Sequence, residues 1–195
     1  MPEQIILGLV GYGKAGKDEV ADVLVKDCGF VKIGMSDALH ECLLILDPII
    51  GLAPRLAELS GECQLIRYAE FCNAMGYTFA KGSPEVRELL QRMGTEVGRN
   101  RLFEDIWVNE MLKKAADHPK VVVTGIRYTN EASACTHLWH ISRIGHNAVN
   151  DHSSEELAHA HNPMELPYNY RIYNDGTLAQ LAIQTKIAEY NTFGG

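Results

Sequence analysis

An apolar run, Ile5-Ile6-Leu7-Gly8-Leu9-Val10, leads directly into Gly11-Tyr12-Gly13-Lys14-Ala15-Gly16-Lys17-Asp18. That stretch leads in turn into Glu19-Val20-Ala21-Asp22-Val23-Leu24-Val25, which reads as a helix. Few folds accept this order. The first strand is apolar on both faces, so it belongs inside a sheet covered on both sides. The glycines let the backbone curl until several N–H groups point inward. The helix that follows adds its unpaired N-terminal N–H groups and the positive end of its dipole. Strand, glycine-rich turn, Gly-Lys and helix make the layout of a P-loop, a cradle for phosphate oxygens. Gly11, Tyr12, Gly13, Lys14, Ala15, Gly16, Lys17, Asp18 and Glu19 are therefore expected to hold the phosphates of a nucleotide, with the Lys17 ammonium between the terminal ones.

One position departs from the general pattern. Ser or Thr normally follows the Gly-Lys pair and ligates magnesium through its hydroxyl. Here the residue is Asp18. A carboxylate is also a hard oxygen ligand suited to magnesium, but without metal it repels the phosphates beside it. Asp18 is expected to couple nucleotide binding to magnesium, to cap the helix start, or both.

At 195 residues the chain is long enough for one domain with a substantial core and an insertion or two. No apolar run approaches the length that spans a bilayer, and Met-Pro-Glu-Gln followed by strand does not read as a signal peptide. The five cysteines are odd in number and lack metal or redox spacing, as expected of thiols in a reducing cytoplasm. A formal charge of −7 argues against a nucleic-acid polymer as the main ligand. Nucleotides need only a local basic pocket.

Strands are predicted over Ile5–Val10, Phe30–Ile33, Val121–Thr124, Leu138–Ile144 and Tyr170–Tyr173, with helical patterns between them, so the class is α/β with a parallel sheet. Gly29 should stop the first helix. Ser36 should cap Asp37–Leu46, and Pro84 should open another helix. Residues 47–82 are the hardest to assign and are read as helical insertion.

In an open α/β sheet, ligands gather at the carboxyl ends of the strands. The P-loop, Ser36-Asp37, Gly125-Ile126-Arg127 and Arg143 all fall there. Lys17, Arg127 and Arg143 together would suit phosphoryl transfer, which depends on positioning and charge stabilisation; each arginine taken singly could equally be a surface ion pair. Arg92, Glu96 and Arg99 share a face if their segment is an α-helix. Such a face could hold a nucleoside monophosphate or could be an ordinary salt-bridged surface. His137, His140, His146, His152, His159 and His161 match no zinc spacing and are read as part of a polar lid. Asn174-Asp175-Gly176 is a turn by composition; in a P-loop kinase the turn after the last strand commonly passes close to the nucleotide base.

Together these pieces resemble the bacteriophage deoxynucleoside monophosphate kinases, within the P-loop nucleoside monophosphate kinase group. The matching stretches are Gly16-Lys17-Asp18, Leu90 to Arg99 with Trp107-Val108-Asn109, and Val122 to Ala132. His152 to Glu155 and Tyr173 to Leu178 complete the set. The resemblance implies a three-layer fold with a five-stranded parallel sheet in a single domain over 1–195. It also implies a helical acceptor-binding region over 47–100 and a short lid over 143–165. It implies transfer of the ATP γ-phosphate to a deoxynucleoside monophosphate with Mg2+. Lys17, Arg127 and Arg143 would be catalytic and Asp18 would sit at the metal. Ser36, Asp37, Arg92, Glu96, Arg99, Trp107 and Glu131 would line the acceptor site. Small nucleotides are the expected partners, with neither membrane nor nucleic-acid polymer. A cytoplasmic location, that of the host for a phage protein, is implied, and a homodimer is suggested. Two departures stand out. Gly125 occupies a position where the family usually has Asp, and Glu19 one where it often has Thr. Other readings of the same motifs are a different small-molecule P-loop kinase, such as dephospho-coenzyme A kinase, or a non-catalytic nucleotide-binding module.

Overall fold

A computed structural model describes residues 3–53, 64–143 and 167–194. These form two compact units, one from Met1–Met35 with Val108–Gly195 and the other from Ser36–Trp107. The second unit enters the chain between β2 (Val31–Gly34) and the next strand of the main sheet, Lys120–Thr124.

The first unit is built on five parallel strands. They are β1 (Ile5–Val10), β2 (Val31–Gly34), β5 (Lys120–Thr124), β6 (His137–Ser142) and β7 (Tyr170–Tyr173), in the order β2-β5-β1-β6-β7. All five lie where the apolar runs predicted them. Val121, Val122 and Val123 have no exposed surface, as parallel strands covered on both faces require. Burying a side chain of that kind stabilises by about 1.5–3 kcal/mol. Leu7, Leu9, Val122, Trp139, Ile141 and Ile172 pack in one cluster with α1 (Lys17–Cys28) and α8 (Leu178–Phe193). Gly8 faces the other way, against Ile126, Leu138 and Cys135. The helices α6 (Ile106–Ala115) and α7 (Thr129–Ser133) contribute buried Met111, Ala115 and Ala132.

Local signals set the ends of these helices. Gly29 ends α1 in the left-handed region, its N–H bonded to the Leu24 carbonyl. Thr177 and Gln180 form a capping box at the start of α8. Because β1 is the central strand, the loop that leaves it emerges at the middle of the sheet's carboxyl edge.

The second unit corrects the all-helical expectation for residues 47–100. It contains an antiparallel pair, β3 (Ile49–Ala53) and β4 (Gln64–Arg67), beside α2 (Asp37–Leu46), α3 (Tyr68–Met75), α4 (Tyr77–Ala80) and α5 (Pro84–Gln91). Its core is Leu43, Tyr68, Cys72, Ala80 and Val86, with Leu89, Leu90 and Met93 packed against it. The segment Arg92–Leu102 is a π-helix, where an α-helix was expected. Its glycines explain the geometry. A Cβ at Gly98 would lie 2.5 Å from the Trp107 ring, and the Trp107 indole N–H donates to the Gly94 carbonyl at 2.8 Å. Gly94 and Gly98 thus leave the indole room against the backbone of this segment.

Among the described residues no helix is long and apolar enough to cross a membrane. The lid expected over 143–165 lies outside the described residues except for Arg143.

Candidate functional site

The phosphate loop is held in shape by three positive φ values: 140° at Gly11, 61° at Lys14 and 103° at Gly16. Glycine is required twice. A Cβ at Gly11 would run into the Ile141 carbonyl, and one at Gly16 into the Asn174 amide. Lys14 adopts a left-handed conformation that side chains other than Gly, Asn and Asp rarely take. Such local strain concentrates at ligand sites.

Lys17 opens α1 and folds back over the loop. Its ammonium donates to the Gly11 carbonyl at 2.8 Å and the Tyr12 carbonyl at 2.7 Å. Those contacts place a positive charge over the concave side of the loop, where the N–H groups of the helix start also gather. Asn174, 7 % exposed, donates its Nδ2 to the Ala15 carbonyl at 2.9 Å. The Asn174-Asp175-Gly176 turn is therefore a brace for the loop as well as a neighbour. Asp175 and Gly176 line an open groove of about 450 Å³ together with Tyr173, Gln180, Ile183 and Gln184.

Asp18 and Glu19 lie exposed in the first turn of α1. The Asp18 carboxylate is 3.1 Å from the Lys32 ammonium, which is also 3.1 Å from Asp22. Burial works against the charge on Lys32, but its hydrogen bonds to Asp18 and Asp22 outweigh that and hold it above the usual lysine range. Among the described residues no three His, Cys, Asp or Glu side chains converge as a metal cluster. Magnesium at a nucleotide takes one or two protein carboxylates and draws the rest of its oxygens from phosphate and water. Asp18, next in sequence to Lys17, fits that chemistry, and the loop and Lys17 fit a nucleotide's phosphates.

The turn after β5 carries Gly125, with φ of 79°, and exposed Arg127. Glu131, 4 % exposed, accepts from the Arg127 backbone N–H at 2.7 Å and from that of Tyr128 at 3.3 Å. Its carboxylate shapes the turn that presents Arg127. Arg143 is exposed directly after β6.

In the second unit, Ser36 precedes α2 as expected but makes no side-chain cap. Its hydroxyl accepts from the Lys81 ammonium at 2.9 Å and its carbonyl from the Tyr77 hydroxyl at 3.2 Å. Tyr77 stacks on His40 at 3.6 Å between ring centroids. Burial, then the Lys81 charge, pushes His40 below its ordinary value. Asp37 lies in the first turn of α2. Arg92 and Glu96 pair at 3.6 Å, while Arg99 donates to the Glu104 carbonyl at 3.2 Å. Hydrogen bonds to the fifth residue on give a π-helix a wider turn than an α-helix. Residues seven apart, which superpose on an α-helix, therefore do not superpose here. Trp107, 4 % exposed, packs against Gly98. Its signal in the sequence was the Gly94 and Gly98 spacing, which reads as room for a ring. No pattern pointed to Lys32 or to the Ser36–Tyr77–Lys81 cluster.

A dephospho-CoA kinase from Campylobacter jejuni shares this architecture, with a TM-score of 0.54 and 10% identity over 98% of this chain and 99% of that one. The Thermus thermophilus protein TT1252 aligns with a TM-score of 0.47 and 18% identity over 96% and 98% of the two chains. No protein-family model matches the chain, and no curated protein matches it. With its five parallel strands and the phosphate loop after the central one, the chain has the α/β fold of the P-loop kinases.

Proposed function

We propose that this protein is an ATP-dependent kinase acting on a small acceptor that carries a nucleotide. The observation that carries the reading is the Lys17 ammonium, 2.8 and 2.7 Å from the Gly11 and Tyr12 carbonyls over a glycine-shaped loop at the carboxyl edge of β1. When a nucleotide binds, its phosphate oxygens offer that ammonium stronger, charged acceptors than the carbonyls. In the transfer, the bond from the γ-phosphorus to the bridging oxygen of ADP breaks as a bond to an acceptor oxygen forms. The chain's part is to hold the phosphates on the loop N–H groups and to offset developing charge with Lys17 and Arg127. Magnesium would supply further neutralisation, with Asp18 as its protein ligand.

Two acceptors have separate support. Dephospho-coenzyme A is favoured by the fold shared with the Campylobacter jejuni enzyme along nearly the full length of both chains. A deoxynucleoside monophosphate is favoured by the motifs around Gly94-Thr95-Glu96-Val97-Gly98-Arg99 and Arg127 to Ala132, with Arg92, Glu96 and Arg99 as contacts that would reach it from different sides of the π-helix. The first acceptor presents a hydroxyl and the second a phosphate. Coupled ADP release with ATP and magnesium, run against dephospho-coenzyme A and each common deoxynucleoside monophosphate, decides between them. ADP release with one class alone names the acceptor. Release with neither, despite ATP binding, returns the chain to a nucleotide-binding module.

A further inference from the structure

Lys17 and Asp18 are adjacent in the chain, yet their charged ends part company. Lys17 turns back onto the loop carbonyls, whereas Asp18 turns to Lys32 on β2. Lys32 lies between two carboxylates one helical turn apart, 3.1 Å from Asp18 and 3.1 Å from Asp22. Asp18 lies in the first turn of α1, where the positive end of the dipole should be available to an anionic ligand. Glu19 adds a second carboxylate there. Left unbalanced, this acidic cluster would oppose phosphate binding at the same helix terminus. A hydroxyl after Gly-Lys would need no such compensation.

We propose that Lys32 is an electrostatic positioning residue of the nucleotide site, which draws the Asp18 carboxylate to β2 and masks its charge so that the loop accepts phosphates before any metal is present. The inference rests on the nucleotide-binding reading above. Lys32 pairs with the carboxylates of α1 and acts on the phosphate loop through Asp18. Its side chain is one-third exposed, so screening limits the effect. Exposed ion pairs are worth up to about fivefold each in an equilibrium constant, and Lys32 makes two.

The test is the affinity for ADP and for ATP, measured by calorimetry in EDTA and again in excess magnesium. The proteins are wild type, Lys32→Met, Lys32→Arg, Asp18→Asn and the Asp18→Asn/Lys32→Met double variant. Lys32→Met should weaken binding in EDTA by roughly three- to tenfold and by less than twofold in magnesium, where the metal's own charge offsets Asp18. Lys32→Arg, which keeps the charge, should restore the wild-type value. The double variant should bind in EDTA within about twofold of Asp18→Asn, since the carboxylate beside Lys17 is gone and only Asp22, one turn further along α1, is left unmasked. Lys32→Met equal to wild type in EDTA would overturn the proposal. So would a double variant as weak as Lys32→Met, because Lys32 would then act on phosphate directly. A wild type that binds neither nucleotide overturns the kinase reading itself, an outcome distinct from both. Lys32 lies on an edge strand, and Lys32→Gln provides a second neutral variant should Lys32→Met prove unstable.

Discussion

Asn174 and Ala15 stand 159 residues apart and are joined by a buried hydrogen bond, Nδ2 to carbonyl oxygen at 2.9 Å. The turn after the edge strand β7 thereby fixes the phosphate loop after the central strand β1. Asn174→Ala leaves that carbonyl without its donor, which costs about 1–3 kcal/mol of stability. ATP affinity should fall with it, because the loop loses its brace. Denaturant unfolding and calorimetry on the same variant check both. Lost stability with unchanged affinity would reduce Asn174 to a packing residue.

Lys17 is half-buried at the start of α1 and donates to the Gly11 and Tyr12 carbonyls of the loop, so its removal should spare the fold and disable the chemistry. Lys17→Ala is expected to melt within a few degrees of wild type. Its turnover should drop about 10²–10³-fold, the size of loss seen when one charge-stabilising donor is removed. Turnover within a few-fold of wild type would dismiss the phosphate-loop assignment.

In the second unit, packing side chains and the proposed acceptor contacts make different predictions. Trp107 is buried over Gly98 and bonded to Gly94. Trp107→Phe should cost about 1–2 kcal/mol through the orphaned carbonyl, and Gly98→Ala about 1–3 kcal/mol through overpacking. Neither should change KM selectively. Arg99→Ala should instead raise KM for the acceptor well above any change in KM for ATP. An Arg99 variant that moves both constants equally would make its Glu104 contact purely structural.

How much could be read beforehand differs from element to element, for physical reasons. The strands β1 and β5 were legible because their burial is written locally, in runs such as Val121-Val122-Val123. The phosphate loop was legible because its glycines are forced by φ and by close approach. The strands β3 and β4 were not: each is short, and Ile49–Ala53 is broken by Gly51. The π-helix was missed because hydrogen bonding to the fourth or the fifth residue leaves little mark on spacing. Lys32 was invisible for another reason. Its pairing with Asp18 exists only once β2 has folded back beside α1.

The last prediction concerns Cys135, which follows α7 and lies against Gly8 of the central strand. Burial, reinforced by the nearby Glu131 charge, pushes its thiol from 9.0 up to about 12. Below pH 9 the thiol is protonated whether the chain is folded or not, and its packing contribution is fully present. Between pH 9 and 12 the unfolded chain ionises at this position while the folded chain does not. The unfolded state is then favoured progressively, and stability falls as pH rises. The slope from one such group is at most about 1.4 kcal/mol per pH unit, reduced here because the thiol is not fully enclosed. Cys28 and Cys72 are also shifted upward by burial, so the diagnostic quantity is a difference. Wild type minus Cys135→Ala stability, measured by denaturant unfolding from pH 8 to 11, should be flat to pH 9 and then decline. Alkylation supplies an independent reading. Cys135 should label at pH 8 only under conditions that unfold the chain. A flat difference up to pH 11, or rapid labelling of Cys135 in the native protein, would mean that the thiol is open to solvent and that its contact with Gly8 is loose.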